Sequence, residues 1–293
     1  MTTIVLCNPS AGRRSGTNVG LQASVALAQR SIECEVVAEP TETATRRALA
    51  KRIAGGIERV IAVGGDGLVN IAVQELCESE IPLGLISAGT GNDFAMSLGL
   101  PDDFDAAIDA ALATATAVDA IRTNYGWVAS VATMGFSVTT NVVANKIRWP
   151  RDGRRYVLAT ALALPRLRTA NATIEIDGSV HELPVTILAI GNTRTFGSGT
   201  PICPDADPFD GLLDVVAIGP LSRRELVRFY RTVDDGTFLD NPLTHTFRGS
   251  QITISGGSTD IWGDGDPLGP TPVTLEAVPG VLMIAGVTKG PSQ

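Results

Sequence analysis

A carboxylate set among glycines recurs at three points in this chain. The first is Val60-Ile61-Ala62-Val63-Gly64-Gly65-Asp66-Gly67, where a β-branched strand ends in three glycines around one aspartate. Such a turn lets backbone N–H groups approach a phosphate, while the aspartate reaches a metal ion or a hydroxyl. Ala88-Gly89-Thr90-Gly91-Asn92-Asp93 follows the next strand, and Asn8-Pro9-Ser10-Ala11-Gly12-Arg13-Arg14-Ser15-Gly16 follows the first strand. Each of these loops puts glycine and small hydroxyl or amide residues ahead of a helix, which is what a polyphosphate needs. One such loop reads equally well as a tight strand-to-helix turn; three along one sheet edge favour a phosphate site. No GK[ST] follows the glycines, so none is a Walker A loop, and there is no GxGxxG with an acidic residue after the next strand. The pattern therefore suits a mononucleotide with magnesium, a hard cation for which aspartate is a good ligand.

The third carboxylate run is Ile261-Trp262-Gly263-Asp264-Gly265-Asp266-Pro267, a strand end that turns sharply. It serves either a structural turn or cation site, or a general base that takes a proton from a hydroxyl attacking a γ-phosphate. Asp205, Asp207, Asp210 and Asp214 crowd into ten residues, as an acidic loop with turns or as a hard-cation site. His181 and His245 are the only histidines, so proton transfer falls to a carboxylate.

The elements that position these groups fall into two parts. Strands over 3–7, 34–38, 58–63 and 82–87 alternate with helices over 19–30, 41–54, 68–78 and 92–98, and an alanine-rich helix is expected over 105–117. That alternation predicts a parallel sheet covered by helices. Beyond about residue 123 strands follow one another: 127–133, 173–176, 185–190, 213–218, 251–255, 273–277 and 281–285. Asp177-Gly178 marks a hairpin, and two helices interrupt, over 156–168 and 223–233, the second with Ser222 as N-cap and Glu225 completing a capping box. The expected organisation is an α/β domain over 1–121, to which a last strand at about 280–293 can return, and a β-rich sandwich domain over 122–279.

The 293 residues are 44% hydrophobic and 18% charged, a globular composition. A net charge of −8 argues against a nucleic-acid binder. Cys7, Cys34, Cys77 and Cys203 form no CxxC pair and read as reduced thiols of a cytosolic protein. No signal peptide opens the chain, and no apolar run approaches the roughly 20 residues of a membrane span. Yet Lys146, Arg148, Arg151, Arg154, Arg155, Arg166 and Arg168 oppose the single acid Asp152 within residues 146–168, interleaved with Trp149, Tyr156, Leu158, Leu162, Leu164 and Leu167. This segment is either a core helix with solvated arginines or a docking surface for anionic lipid headgroups, which would place the protein peripherally at the inner membrane surface.

Together the runs NPSAGRRSG (8–16), GGDGLVN (64–70), LGLISAGTGNDFAMSLGLP (83–101), CPDADPFDGLLDV (203–215) and GDGDPLGPTPV (263–273) resemble the catalytic domain of the diacylglycerol kinase family, specifically bacterial lipid kinases, with sphingosine kinases more distant. The resemblance spans nearly the whole chain. It implies an ATP-binding first domain, a β-sandwich second domain and an active site in the cleft between them. It assigns ATP contacts to Asn8, Pro9, Ser10, Ala11, Gly12, Thr41, Gly64, Gly65, Asp66, Gly67, Leu68, Val69, Asn70 and Thr90. It assigns catalytic magnesium to Asp66 and Asp93, with Asp119 near that network, and a structural magnesium to Asp207, Asp210 and Leu212. Asp266 stands where the family has its general base, with Asp264 as the other candidate. Leu68, Ile71 and Asp266 depart from the family's threonine, glutamate and glutamate. The function implied is an ATP- and magnesium-dependent lipid kinase making phosphatidic acid from diacylglycerol. Alternatives are a kinase for a sphingoid base or glycolipid precursor, or a nucleotide-binding regulator that has lost catalysis. NAD kinases share GGDG, but the AGTGNDFA run and the C-terminal GDGD motif fit the lipid kinases better. Exposed strand edges leave a homodimer open.

Overall fold

The computed structural model describes residues 2–8, 16–147, 149, 154–257 and 260–289. The chain divides into two units, residues 1–120 with 279–293, and residues 121–278.

The first unit is a βα alternation: β1 (Thr3–Cys7), α1 (Gly16–Gln29), β2 (Cys34–Val37), α2 (Glu42–Ala54), β3 (Arg59–Gly64), α3 (Asp66–Leu76), β4 (Leu83–Ser87), α4 (Asp93–Ser97) and α5 (Phe104–Leu112), then the start of β5 (Ala115–Thr123). The strands pair in parallel in the order β2-β1-β3-β4. Their β-branched residues are buried, as a parallel sheet covered by helices requires. On one face Val5, Cys7, Ile61, Val63 and Ile86 meet Ala23, Leu27, Ala107, Ile108 and Ala111 of α1 and α5. The order reverses between β1 and β3, so the crevice at the C-terminal ends of those strands is the switch point where ligands bind in such sheets.

The expected helix over 105–117 is cut short. It ends at Leu112, Ala113 is extended at ψ 174°, and Ala115–Ala117 belong to β5 instead. Alanine tolerates both states; the sheet decided between them.

In the second unit the order is β6 (Gly126–Val128), β7 (Val131–Gly135), α6 (Phe136–Lys146), α7 (Arg154–Ala163), β8 (Ala170–Ile176), β9 (Ser179–Val185), β10 (Ile187–Gly191), β11 (Leu213–Ile218), α8 (Arg223–Thr232), β12 (Thr244–Gly249), β13 (Gln251–Gly256), β14 (Ile261–Gly263), β15 (Asp266–Gly269) and β16 (Val273–Ala285). One antiparallel sheet runs β12-β11-β10-β7-β14-β15; β16, β13, β8 and β9 pair antiparallel in the other. Ile174, Ile252, Ile254 and Leu275 of one sheet meet Met134, Leu188, Ile190 and Val215 of the other in a dry core. Strand alternation sends Ile187, Ala189, Val216 and Ile218 to the opposite face, where Phe136, Ala163, Leu226 and Phe229 of α6, α7 and α8 cover them. Past Pro279, β16 belongs to the first unit, where Ile284 pairs in parallel with Leu83 of β4.

Several expected boundaries move. The strand over 127–133 breaks at Ala129-Ser130 into β6 and β7, and 185–190 divides between β9 and β10. The two runs 273–277 and 281–285 are one strand, β16, and β12, β14 and β15 are additional. The helix over 156–168 is α7, from Arg154 to Ala163, followed by a 3₁₀ turn over Leu164–Arg166 with Pro165 inside it. α6 is the largest addition. Its β-branched sequence reads as strand, but Phe136, Thr140 and Ala144 recur at helical spacing and are all buried. The α8 capping box forms as expected: Glu225 N–H donates to Ser222 Oγ at 3.3 Å, and Ser222 N–H to Glu225 Oε2 at 2.7 Å.

Candidate active site

At the C-terminal edge of the first unit's sheet, next to the switch point, the turns after β3 and β4 lie against each other. Ala88 N–H donates to Gly64 O at 2.9 Å, and a Cβ on Gly65 would sit 2.9 Å from Gly89 Cα. A Cβ on Gly89 would come closer still, and would also meet Asn92 Oδ1 at 2.8 Å. Both glycines are therefore required by close approach of two backbones, whatever else they do. Asn92, in the left-handed region at φ 57°, closes the second turn by accepting the Gly89 N–H at 3.0 Å. Gly89→Ala is expected to force these turns apart, lowering Tm and abolishing nucleotide binding together, as thermal unfolding and nucleotide titration would show.

This contact brings Asp66 and Asp93 together. Each is the first residue of its helix, where the dipole favours negative charge. Asp93 is 9% exposed, and Asp66 accepts the Phe94 N–H at a long 3.4 Å. Burial, then the nearby Asp93 charge, push the Asp66 carboxyl above the usual carboxylate range. A carboxylate whose ionisation is disfavoured by a neighbouring carboxylate fits a divalent cation, which would relieve the repulsion.

The other first-unit positions differ in what they offer. Gly67 is exposed, and a Cβ there would meet nothing. Leu68 is 6% exposed and folds back on Gly64, and its N–H bonds Gly65 O at 2.9 Å, as Val69 N–H does at 3.2 Å. Ile71 is likewise buried in the helix face. Both positions, for which the resemblance implies a hydroxyl and a carboxylate, are thus given to core packing here. Asn70 Oδ1 accepts from Gln74 Nε2 at 3.2 Å, and Thr41 is the N-cap of α2, accepting the Ala44 N–H at 3.2 Å. Thr90 is exposed and Asn8 half-buried beside β1. Pro9, Ser10, Ala11 and Gly12 lie outside the described residues. Asp119 is buried, and its Oδ1 accepts the Gly280 N–H at 2.8 Å, tying β5 to the end of the chain.

In the second unit, Asp264 and Asp266 have different surroundings. Asp264, at φ 52°, turns its carboxylate into the break between β6 and β7: Oδ2 accepts the Ala129 N–H at 2.7 Å and Oδ1 the Ser130 N–H at 2.8 Å. Asp266 is exposed at the start of β15. Beside it is a cavity of about 740 Å³ lined by Pro267, Trp262, Val142 and Leu162, with Lys146 and Arg166 as its cationic groups. The α6 side of this cavity belongs to none of the sequence motifs. Helical spacing of Val138, Val142 and Lys146 was the available signal.

In the acidic loop two carboxylates close local turns. Asp207 Oδ1 accepts the Phe209 N–H at 3.2 Å, and Asp210 Oδ1 the Leu212 N–H at 2.9 Å, both holding their own turns. Among the described residues no group of three or more His, Cys, Asp or Glu side chains could hold a metal ion. Arg248, which no sequence motif singles out, makes ion pairs with Asp210 and Asp214.

A helix-covered parallel sheet with paired glycine turns at its C-terminal edge, joined in sequence to a sandwich with a cavity of mixed apolar and charged lining beside an exposed carboxylate turn, is the architecture of a two-part enzyme. Residues 2–123 match the diacylglycerol kinase catalytic domain, and residues 129–286 match the YegS C-terminal NAD kinase beta sandwich-like domain. A diacylglycerol kinase of Mycobacterium tuberculosis is 33% identical over 95% of this chain and 93% of its own length. A probable lipid kinase YegS-like protein of Yersinia enterocolitica is 29% identical over 81% of each. The crystal structure of a proposed diacylglycerol kinase from Bacillus anthracis str. Sterne has the same fold, with TM-score 0.80 at 21% identity over 97% of this chain and 96% of that one. The chain belongs to the diacylglycerol kinase and YegS-like lipid kinase family, and it is a lipid kinase.

Proposed function

We propose that this kinase transfers the γ-phosphate of ATP to the hydroxyl of diacylglycerol, giving phosphatidic acid. The observation that carries the nucleotide side is the Asp66–Asp93 pair behind two interlocked glycine turns at the C-terminal edge of the sheet. Gly67, exposed at the start of α3, offers its N–H to a phosphate oxygen. Asp66 and Asp93 would hold magnesium, which when bound neutralises charge developing on the transferred phosphoryl group. Asp266 takes the proton of the lipid hydroxyl. Asp264 does not serve, because both its oxygens are committed to backbone donors. The cavity lined by Trp262, Leu162 and Val142 receives apolar chain beside that base.

Radiolabelled ATP tested against a panel of lipids in mixed micelles checks this reading. Transfer to diacylglycerol supports it; transfer only to a sphingoid base or a glycolipid precursor moves the substrate. Nucleotide binding without transfer to any lipid would make the chain a regulator.

The substrate resides in a membrane, and no helix among the described residues is long and apolar enough to cross one. The cationic segment supplies a docking surface at the inner face instead. Val157, Leu158 and Leu162 of α7 are 71%, 40% and 51% exposed, and Trp149 is 74% exposed. Arg148 and Arg151 of that segment lie outside the described residues. α8 packs beside α7 through Tyr230, whose hydroxyl bonds Thr160. Its outer face carries Arg224, Val227, Arg228 and Arg231 at helical spacing, all exposed. Each basic group contributes about 1 kcal/mol at an anionic bilayer, so replacing the three arginines of α8 with glutamine is expected to weaken binding ~100-fold. Co-sedimentation with phosphatidylglycerol vesicles checks this. Binding should fall steeply with salt, and salt-insensitive binding would count against the surface.

A further inference from the structure

The resemblance to diacylglycerol kinases implies a structural magnesium ion on Asp207, Asp210 and Leu212, and the residues of this chain do not fit one. Strands β11 and β12 pair antiparallel, and their register places Arg248 directly opposite Asp214. Directly opposed side chains on paired strands are neighbours, so the register alone brings the guanidinium to this loop. Arg248 Nη2 is in direct ion-pair contact with Asp210 Oδ2, and Nε lies 3.4 Å from Asp214 Oδ2. The other oxygen of Asp210 is also engaged, accepting the Leu212 N–H at 2.9 Å. The carboxylate assigned to the ion thus has a fixed cation on one oxygen and a backbone donor on the other. The main-chain carbonyl of Asp207, which the resemblance assigns to the ion together with that of Leu212, accepts the Asp210 N–H at 3.4 Å.

We propose that Arg248 is a built-in substitute for the divalent cation, joining the 203–214 loop to β12 without metal. A planar guanidinium is suited to bridging here, because its fork meets two carboxylates at once and it stays charged at any working pH. Arg248 thus meets the carboxylates of Asp210 and Asp214 together rather than one exposed acid. Without Arg248 those acids would repel one another and present hard oxygen ligands to a divalent ion. The inference concerns stability and is independent of which lipid is phosphorylated.

The test is thermal unfolding of the full chain in EDTA, in magnesium and in calcium. Native protein and Asp210→Asn are expected to show the same response to metal, since any metal they bind is elsewhere. Arg248→Ala should unfold several degrees lower in EDTA and recover in magnesium or calcium, and adding Asp210→Asn should remove that recovery. Arg248→Met, which keeps the aliphatic stem, should gain the same metal response and separates charge from packing. Two results would overturn the proposal: metal stabilisation of the native protein that Asp210→Asn abolishes, or Arg248 variants whose unfolding ignores metal. If neither Arg248 variant folds, the comparison of native protein with Asp210→Asn still decides.

Discussion

Asp66→Asn is expected to abolish phosphoryl transfer while raising thermal stability. The two effects share one cause. Burial and the Asp93 charge push the Asp66 carboxyl up, so the folded state holds its proton to a higher pH than the unfolded chain does. Stability then falls as pH rises from the ordinary carboxylate range, about 4, through the raised value. Asparagine removes that loss. At neutral pH Tm should rise by a few degrees, and the decline of stability above about pH 4 should flatten. On the proposed reading catalysis needs the charge that destabilises: one of the two carboxylates proposed to hold magnesium is gone, and kcat should fall by ~10³-fold or more, on the scale of losing a principal electrostatic stabiliser. Sites built for function often cost stability in this way. Chelation with EDTA should silence the native enzyme, and excess magnesium should restore it but not the variant. A variant that is both inactive and less stable than the native protein would show that Asp66 holds its turn rather than a metal.

Asp266→Ala and Asp264→Ala should fail for different reasons. Asp266 is exposed, so its removal should leave Tm and ATP affinity near native while lowering kcat by about 10²–10⁴-fold, the usual contribution of a general base. Asp264→Ala strips the acceptors from the Ala129 and Ser130 N–H groups at the break between β6 and β7. Leaving a buried donor without a partner costs about 1–3 kcal/mol each, so this variant should unfold several degrees earlier. It also keeps a residue at φ 52° where alanine is strained, which adds to the loss. Urea unfolding together with steady-state kinetics separates the two. If Asp266→Ala turns over at near-native rates, the base is elsewhere and the lipid hydroxyl is activated by other means.

The first unit was largely legible beforehand. Short strands rich in β-branched residues, helix caps and glycine turns are local signals, and Thr41 and the Gly64–Gly67 turn are where their neighbours in sequence put them, as is the Ser222 cap of the second unit. The second unit was less legible because its decisions are long-range. α6 reads as strand on propensity, and only its position over Val131, Ile187 and Ala189 makes Phe136 and Thr140 a buried helical face. The break at Ala129-Ser130 carries no glycine or proline; a carboxylate some 130 residues away supplies the hydrogen bonds that the ladder would have made.

The amino-acid sequence by itself determined the βα alternation of the first unit, the three carboxylate–glycine runs and the family. These depend on local propensity and on residue types at fixed spacing. Only the tertiary structure decided what each carboxylate meets. It set Asp66 against Asp93 across two turns too close for a side chain between them. It committed Asp264 to backbone N–H groups and left Asp266 beside the cavity. It placed Arg248 across from Asp214 by strand register. A carboxylate has the same sequence signature whether it meets a proton, a metal, an amide or a guanidinium. Which of these it meets is fixed by distance and burial, and those exist only once the chain has folded.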